Sequence, residues 1–228
     1  MGIYLTLLVL MTALRKIQIL QSAAAGEERP IRSLLRVPEF PLAILSGVVA
    51  YGVMTLLMTA TPISMHVRDG HSLDQTGWVI QSHIVAMYLP SFFTGFILAR
   101  ISPMRLLGIG IAVLLACAGL ALAGRELINY WVALVLLGVG WNFLFVSGTV
   151  QLTQIYRPAE RFKAQALNDF SVFGTQALAS LSAGSLIHTA GWTVLVSLTI
   201  PILLMMALAA FWVHRRAIQP GQAAKSPL

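Results

Sequence analysis

Charged residues are scarce in this chain, and their scarcity indicates its class. Asp, Glu, Lys and Arg make up 10% of the 228 residues, whereas an ordinary soluble domain carries about 25%. Hydrophobic residues make up 57% and come in long blocks rather than in alternation with polar residues. Because such blocks match the hydrocarbon interior of a bilayer, the composition excludes an ordinary soluble domain and predicts a polytopic helical membrane protein.

Residues that could carry catalysis are also scarce. The single cysteine, Cys117, lies inside an apolar block, so it belongs to no disulfide framework and is interpreted as a small buried hydrophobe. The sequence has no His-Glu-x-x-His, no Gly-x-Ser-x-Gly and no glycine-rich phosphate loop. We therefore expect no enzymatic activity, no bound metal and no cofactor.

The net charge of +7 at pH 7 does not indicate nucleic-acid binding. The basic residues lie in short segments between apolar blocks, and no block shows a basic face interleaved with aromatic residues. Of the fifteen Lys and Arg residues, all except Arg68 and Arg125 fall on one side of the predicted membrane. Because cytoplasmic loops are enriched in Lys and Arg, we predict that this side, with the C-terminus, is the cytoplasmic side of the cell inner membrane.

Six apolar blocks are long enough to cross a bilayer, which takes about 20 helical residues. We place these spans at residues 41–65, 77–99, 106–123, 130–153, 165–187 and 193–213. Pro62, Pro90 and Pro201 fall within them, where proline can bend a helix without excluding it. The predicted fold is an all-α membrane protein with a six-helix transmembrane bundle over residues 41–213.

The segments outside the six spans are interpreted from their length and the position of their charged residues. The apolar run at residues 3–14 is too short to span, and basic residues follow it rather than precede it. This order favours a partial transmembrane helix over residues 1–20, rather than a signal peptide. Residues 21–40 predict a solvent-exposed cytoplasmic linker, and residues 214–228 predict a cytoplasmic tail.

One span carries a stripe of small residues. Gly108, Ala112 and Ala116 recur every four residues, so they share one face of a helix. Small residues at this spacing let two helices approach closely in lipid. The stripe predicts a face against which a neighbouring helix packs.

Asp169 is the only acidic residue placed inside a predicted span. Gln176 and Ser180 follow at plus seven and plus eleven, on nearly the same helix face. Because a polar stripe in lipid must face protein or a water-filled cavity, it predicts a solute pathway with Asp169 as a proton or cation site. The alternative is that Asp169 is a structural partner of Arg105, Arg157 or Arg161.

Two other residues inside predicted spans are candidates for the solute pathway. His83 could relay protons, because imidazole titrates near neutrality, or it could be hydrogen-bonded to a neighbouring helix. Asn142 could contact a solute or join two helices. Weaker candidates of the same kind lie in the first full span: Tyr51, Thr55 and Thr59.

Two short motifs carry a resemblance to a known family. The first is Gly95-Phe-Ile-Leu-Ala99-Arg100, followed by Arg105, with Ala99 where the stronger version of the motif has Asp. The second runs from Gly138-Val-Gly-Trp-Asn142 through the hairpin Tyr156-Arg-Pro-Ala-Glu160-Arg161 to Asn168-Asp169-Phe. With six spans after a half-span and a basic linker, the chain resembles the C-terminal half of a major facilitator superfamily transporter, in a bacterial drug/metabolite-type branch.

The resemblance implies an alternating-access carrier that binds a small organic solute between two six-helix halves. The implied partners are the lipid bilayer, the solute, and either a separate N-terminal half or a second copy of the chain. The alternative is a truncated fragment or assembly subunit without transport of its own. The expected solute-pathway residues are His83, Asn142, Gln176 and Ser180, and those expected in proton coupling or gating are Asp169, Arg100, Arg105 and Arg161.

Overall fold

The computed structural model describes residues 28–218. The predicted partial helix over residues 1–20 and the tail from residue 219 onward lie outside the described residues. All regular secondary structure between residues 28 and 218 is helical, which confirms the predicted all-α fold class. The elements are α1 (Ile31–Leu35), α2 (Glu39–Pro62) with a π-helical turn (Ile63–Arg68), α3 (Leu73–Tyr88), α4 (Ser91–Leu98), α5 (Pro103–Ala123), α6 (Leu127–Ile155), a 3-10 turn (Pro158–Glu160), α7 (Arg161–Thr189) and α8 (Gly191–Ile218).

Five helical stretches are long and apolar enough to cross a membrane. They correspond to five of the six predicted spans and run a few residues past them at most ends. The longest extensions are in Pro158–Thr189, which begins seven residues before residue 165, and in α8, which continues to Ile218 and so includes the start of the predicted tail. These stretches are Glu39–Arg68, Pro103–Ala123, Leu127–Ile155, Pro158–Thr189 and Gly191–Arg216.

The remaining predicted span, residues 77–99, is divided between α3 and α4 at Pro90. Proline has no N–H to donate, so the regular hydrogen-bond ladder is interrupted there. The backbone dihedrals of Leu89 and Pro90 nevertheless stay in the right-handed helical region, and the Leu89 N–H still donates to the Val85 carbonyl at 2.8 Å. The chain therefore keeps its helical path through the break, as expected for proline within a span.

The described part of the predicted linker is docked rather than free. Leu34 of α1 is fully buried in a small core with Phe40. Beside it, the fully buried Glu160 carboxylate accepts hydrogen bonds from Arg29 Nε at 2.6 Å and Arg29 Nη2 at 2.7 Å, and from the Arg157 N–H at 2.8 Å. The contact with Glu160 raises the pKa of the Arg29 guanidinium. Because a buried carboxylate requires such partners, Glu160 ties the linker to the hairpin before α7.

Glycines on α6 bring its neighbours into close contact. A Cβ at Gly138 would lie 2.7 Å from the His83 carbonyl oxygen and 2.9 Å from the Met87 nitrogen of α3. A Cβ at Gly148 would lie 2.8 Å from the Ala43 carbonyl oxygen of α2. α6 thus packs backbone against backbone on two sides, which only glycine permits.

The small-residue stripe on α5 does not pack against a helix, so that prediction is wrong for the described residues. Gly108, Ala112 and Ala116 are all exposed, and a Cβ at Gly108 would have no neighbour within 4 Å. The opposite side of α5 makes the contacts instead, with Gly110 against Leu144 of α6. Spacing identifies a face that two helices can share, but a neighbouring helix must also supply a matching face.

Polar contacts join the helix ends opposite the linker. The Asp69 carboxylate accepts a hydrogen bond from Tyr130 Oη at 2.7 Å and lies 3.3 Å from Arg125 Nη1. Arg68 Nη2 donates to the His188 carbonyl oxygen at 3.0 Å. These contacts join the loop between α2 and α3 to the loop between α5 and α6 and to the end of α7. They therefore fix the relative positions of the helices that form the site.

Candidate functional site

A cleft of about 440 Å³ opens between α2, α3 and α7. Its apolar lining comes from Met54, Met58, Ile84 and Met87. Five side chains with polar groups also line it: Thr55, Thr59, Tyr88, Gln176 and Ser180. A concave, mostly apolar site with a few polar groups is the usual form of a small-molecule site.

Two of the predicted pathway residues meet in this cleft. Gln176 and Ser180 lie one turn apart on α7, and both line it, as their spacing on one helix face leads one to expect. Neither side chain has a hydrogen-bond partner among residues 28–218. The weaker candidates Thr55 and Thr59 of α2 face the same space. The cleft thus has amide and hydroxyl groups available to a solute.

An aromatic cluster borders the cleft and was not predicted from the sequence. We define it as Tyr51, Tyr88, Trp141, Phe145 and Phe173, which come from α2, α3, α6 and α7. The Trp141 and Phe145 rings stack with centroids 5.3 Å apart, and the Tyr51 ring packs edge-on against the Trp141 ring at 5.2 Å. The Phe173 and Tyr88 rings extend the cluster at 5.9 Å from Tyr51 and 6.3 Å from Trp141 respectively.

The outer members of the aromatic cluster remain open to a ligand. Tyr88 is 58% exposed and Phe173 is 56% exposed, whereas Trp141 is buried. Tyr88 also lines the cleft, so exposed aromatic surface and polar groups adjoin each other. One signal could have located the cluster: Phe173 precedes Gln176 by three residues and therefore shares its face of α7.

His83 lies outside the cleft, on the side of α3 that packs against α6. Its side chain is fully buried, and Nδ1 lies 2.8 Å from the Leu134 carbonyl oxygen. Since a carbonyl oxygen only accepts, Nδ1 carries the proton and donates. Nε2 is buried and has no hydrogen-bond partner in the described structure. The contact observed is therefore the alternative given above, a hydrogen bond to a neighbouring helix.

Asn142 joins α6 to the proline break of the α3–α4 segment. Its Nδ2 donates to the Met87 carbonyl oxygen at 2.8 Å and lies 2.7 Å from Ser91 Oγ. Because Pro90 interrupts the hydrogen-bond ladder, carbonyl groups of the preceding turn need a hydrogen-bond donor from outside the helix. Asn142 supplies that donor, while its Oδ1 is buried without a partner among the described residues.

The four residues predicted for proton coupling or gating are not brought together. Asp169 is exposed, and Asn168 Nδ2 donates to its Oδ1 at 3.1 Å. Within residues 28–218, no Lys or Arg lies within 4 Å of the Asp169 carboxylate, so the alternative of an arginine partner is not observed. Arg100 and Arg161 are exposed at helix ends, and Arg105 lines a different groove, between α5 and α8.

The described residues offer no evident metal centre. No group of three His, Cys, Asp or Glu side chains between residues 28 and 218 lies close enough together to hold an ion. The cleft itself offers a ligand aromatic surface, hydroxyl groups and one amide.

Comparison with known families decides the protein's class. The family model of the Major Facilitator Superfamily matches residues 43–228. This chain belongs to the major facilitator superfamily. Membership confirms the resemblance to the major facilitator superfamily that was drawn from the sequence.

Individual members of the superfamily are similar to this chain. The riboflavin transporter RfnT of Brucella anthropi is 44% identical over 178 residues, which cover 78% of this chain and 44% of RfnT. The uncharacterized MFS-type transporter YddS of Bacillus subtilis strain 168 is 34% identical over 172 residues, which cover 74% of this chain and 39% of YddS. The chain thus spans less than half the length of these relatives. No solved structure matches it.

Proposed function

We propose that this chain forms one half of a secondary transporter that carries a planar heterocyclic solute of the riboflavin class across the cytoplasmic membrane. The observation that supports this most directly is the cleft beside the aromatic cluster. A flat, fused ring system can stack on exposed aromatic rings such as those of Tyr88 and Phe173. Its polar edge can then bond to the side chains of Gln176 and Ser180, which have no protein partner in the described structure.

The similarity to a relative named as a riboflavin transporter supports the same class of solute. The match extends over 78% of this chain at 44% identity. Family membership alone indicates a transporter but not its solute, because one fold serves many solutes. The aromatic cluster is what favours a flat ring system over other small organic molecules.

We further propose that transport requires a second six-helix half. α7 is poorly covered, since Phe170 is 81% exposed and Leu181 is 79% exposed. On the same helix, Asp169 and Ser180 are also exposed, and such groups are costly against lipid. This mixture fits a surface facing a second half and a water-filled pathway. That half would come from a longer parent chain, a separate polypeptide or a second copy.

The proposed orientation places the linker, the hairpin before α7 and the end of α8 in the cytoplasm. It is supported by the excess of Lys and Arg at that end of the bundle. In this orientation Asp169 lies near the cytoplasmic end of α7, exposed and without a cationic partner in the described residues. Because a carboxylate within a transmembrane helix marks an ion or proton pathway, we assign it the coupling role.

Riboflavin uptake by riboflavin-auxotrophic cells tests the proposal. The cells would express this chain alone, with a co-expressed first half, or as one continuous fusion. We expect uptake only where both halves are present, and its loss in Gln176→Leu. Gln154→Leu is the matched control, because Gln154 is an exposed glutamine at the end of α6, away from the cleft. Normal membrane levels without flavin uptake in any combination would contradict the proposed solute.

The alternative of a subunit without transport of its own predicts that no solute, riboflavin included, is taken up with any first half. If the chain alone moves riboflavin, the requirement for a second half is wrong.

A further inference from the structure

We propose that the groove between α5 and α8 binds an anionic phospholipid. The groove has a volume of about 270 Å³. Apolar and small side chains form its walls, including Ile111, Ala207 and Phe211, while Arg105 and His214 line it from the two helices. It therefore combines an apolar trough with basic groups, which is the form expected for an acyl chain with its phosphate.

The groove faces away from the candidate solute site. The cleft is formed by α2, α3 and α7, whereas the groove lies between two other helices. Large apolar side chains beside it point outward: Ile109 is 44% exposed, Leu204 is 48% exposed and Leu208 is 67% exposed. Exposed apolar residues on both flanking helices are typical of a surface that contacts lipid tails.

Small residues create the trough itself. Gly108 and Ala210 line the groove, and a Cβ at Gly108 would meet no atom within 4 Å. The stripe of small residues on α5, which packs against no helix in the described structure, thus leaves open space on an outward face. An acyl chain is the apolar molecule available to fill such space within a bilayer.

The positive charge at the groove selects the headgroup. Arg105 makes no ion pair within the described range, so its charge is available to a ligand. Arg215 adds to it, because its guanidinium carbon lies 4.8 Å from the centre of the Phe211 ring, which lines the groove. A phosphate carries the complementary charge, and basic residues near an anionic lipid surface attract it.

The position along the bundle agrees with this occupant. α5 begins at Pro103, close to Arg105, and α8 ends beyond Arg216, so the groove lies at one end of both helices. That end carries most of the chain's Lys and Arg, and the positive-inside rule places it in the cytoplasmic leaflet. Anionic lipids are concentrated in that leaflet.

Native mass spectrometry of the purified full chain tests the proposal, with phosphatidylglycerol and phosphatidylcholine of identical acyl chains as probes. We expect phosphatidylglycerol to bind more tightly. The double variant Arg105→Gln/His214→Gln should lose this preference, with an affinity about fivefold lower for the lost arginine charge. Gly108→Leu should weaken the binding of both lipids, because leucine would occupy the trough, and its Cβ would meet no atom within 4 Å.

Two matched variants control for general effects of charge and bulk. Arg36→Gln removes an exposed arginine of the linker, and Gly119→Leu adds the same side chain on α5 at another exposed glycine with open space around it. Both should bind phosphatidylglycerol as the unmodified chain does. Equal affinity for the two lipids would overturn the proposal, as would equal losses in Arg36→Gln or full competition by soluble glycerol phosphate, which would indicate a site for a free anion.

Discussion

The close contact at Gly138 gives the sharpest test of how the bundle positions the cleft. Replacing Gly138 by alanine would put a Cβ 2.7 Å from the His83 carbonyl oxygen, 2.9 Å from the Met87 nitrogen and 3.0 Å from the Ala86 carbonyl carbon. All three neighbours are backbone atoms, so no side-chain rotation can relieve the contact. α3 must therefore move away from α6.

The expected cost combines two opposing effects. Overpacking of this kind costs about 1–3 kcal/mol, and alanine in a helix regains about 0.5–1 kcal/mol relative to glycine. We expect Gly138→Ala to lower the free energy of unfolding by up to about 2.5 kcal/mol. Because Met87 and Tyr88 line the cleft, the shift of α3 should also weaken solute binding.

The assay is reversible unfolding in mixed micelles, with Gly119→Ala as the matched control. Gly119 lies on α5, and a Cβ there would meet nothing within 4 Å. That variant should be as stable as the unmodified chain or slightly more stable. If Gly138→Ala behaved like Gly119→Ala, the close packing of α3 against α6 would be refuted.

Two further predictions concern carboxylates. Glu160→Gln should lower the free energy of unfolding by about 1–3 kcal/mol, since it alters a fully buried acceptor of charged hydrogen bonds. The control is Glu28→Gln, which should change the free energy of unfolding little, because the Glu28 side chain, paired with Lys163, is 47% exposed. Similar losses in both variants would contradict the role of burial. Asp169→Asn should abolish pH-driven uptake while membrane levels stay normal, and unchanged uptake would rule out its coupling role.

Much of the helical arrangement could be predicted from the sequence, because long apolar blocks have one stable form in a bilayer. Hydropathy located α2, α5, α6, α7 and α8 to within a few residues. The partners of each helix were less accessible. The stripe that includes Gly108 was expected to pack and is exposed, whereas Gly138 makes a closer contact in the structure, because packing depends on what the facing helix presents.

The candidate site was predictable only in part, because its residues come from several helices. Helix periodicity placed Gln176 and Ser180 on one face of α7, and both line the cleft. Periodicity within one helix could not reveal that His83 faces the Leu134 carbonyl or that Asn142 reaches the proline break. Those contacts depend on how α3 crosses α6, and the aromatic cluster depends on four helices at once.

The most direct test of the proposed function is equilibrium binding of riboflavin to the purified two-half complex, followed by quenching of flavin fluorescence. Tyr88→Ala removes an exposed ring at the edge of the cleft, and a lost aromatic contact of about 0.5–1.5 kcal/mol corresponds to roughly twofold to tenfold weaker binding. Phe96→Ala is the control, because Phe96 is a 75% exposed ring on α4, outside the aromatic cluster. We predict weaker binding in Tyr88→Ala and unchanged binding in Phe96→Ala. Equal affinity in both variants would contradict the account of the cleft as the flavin site.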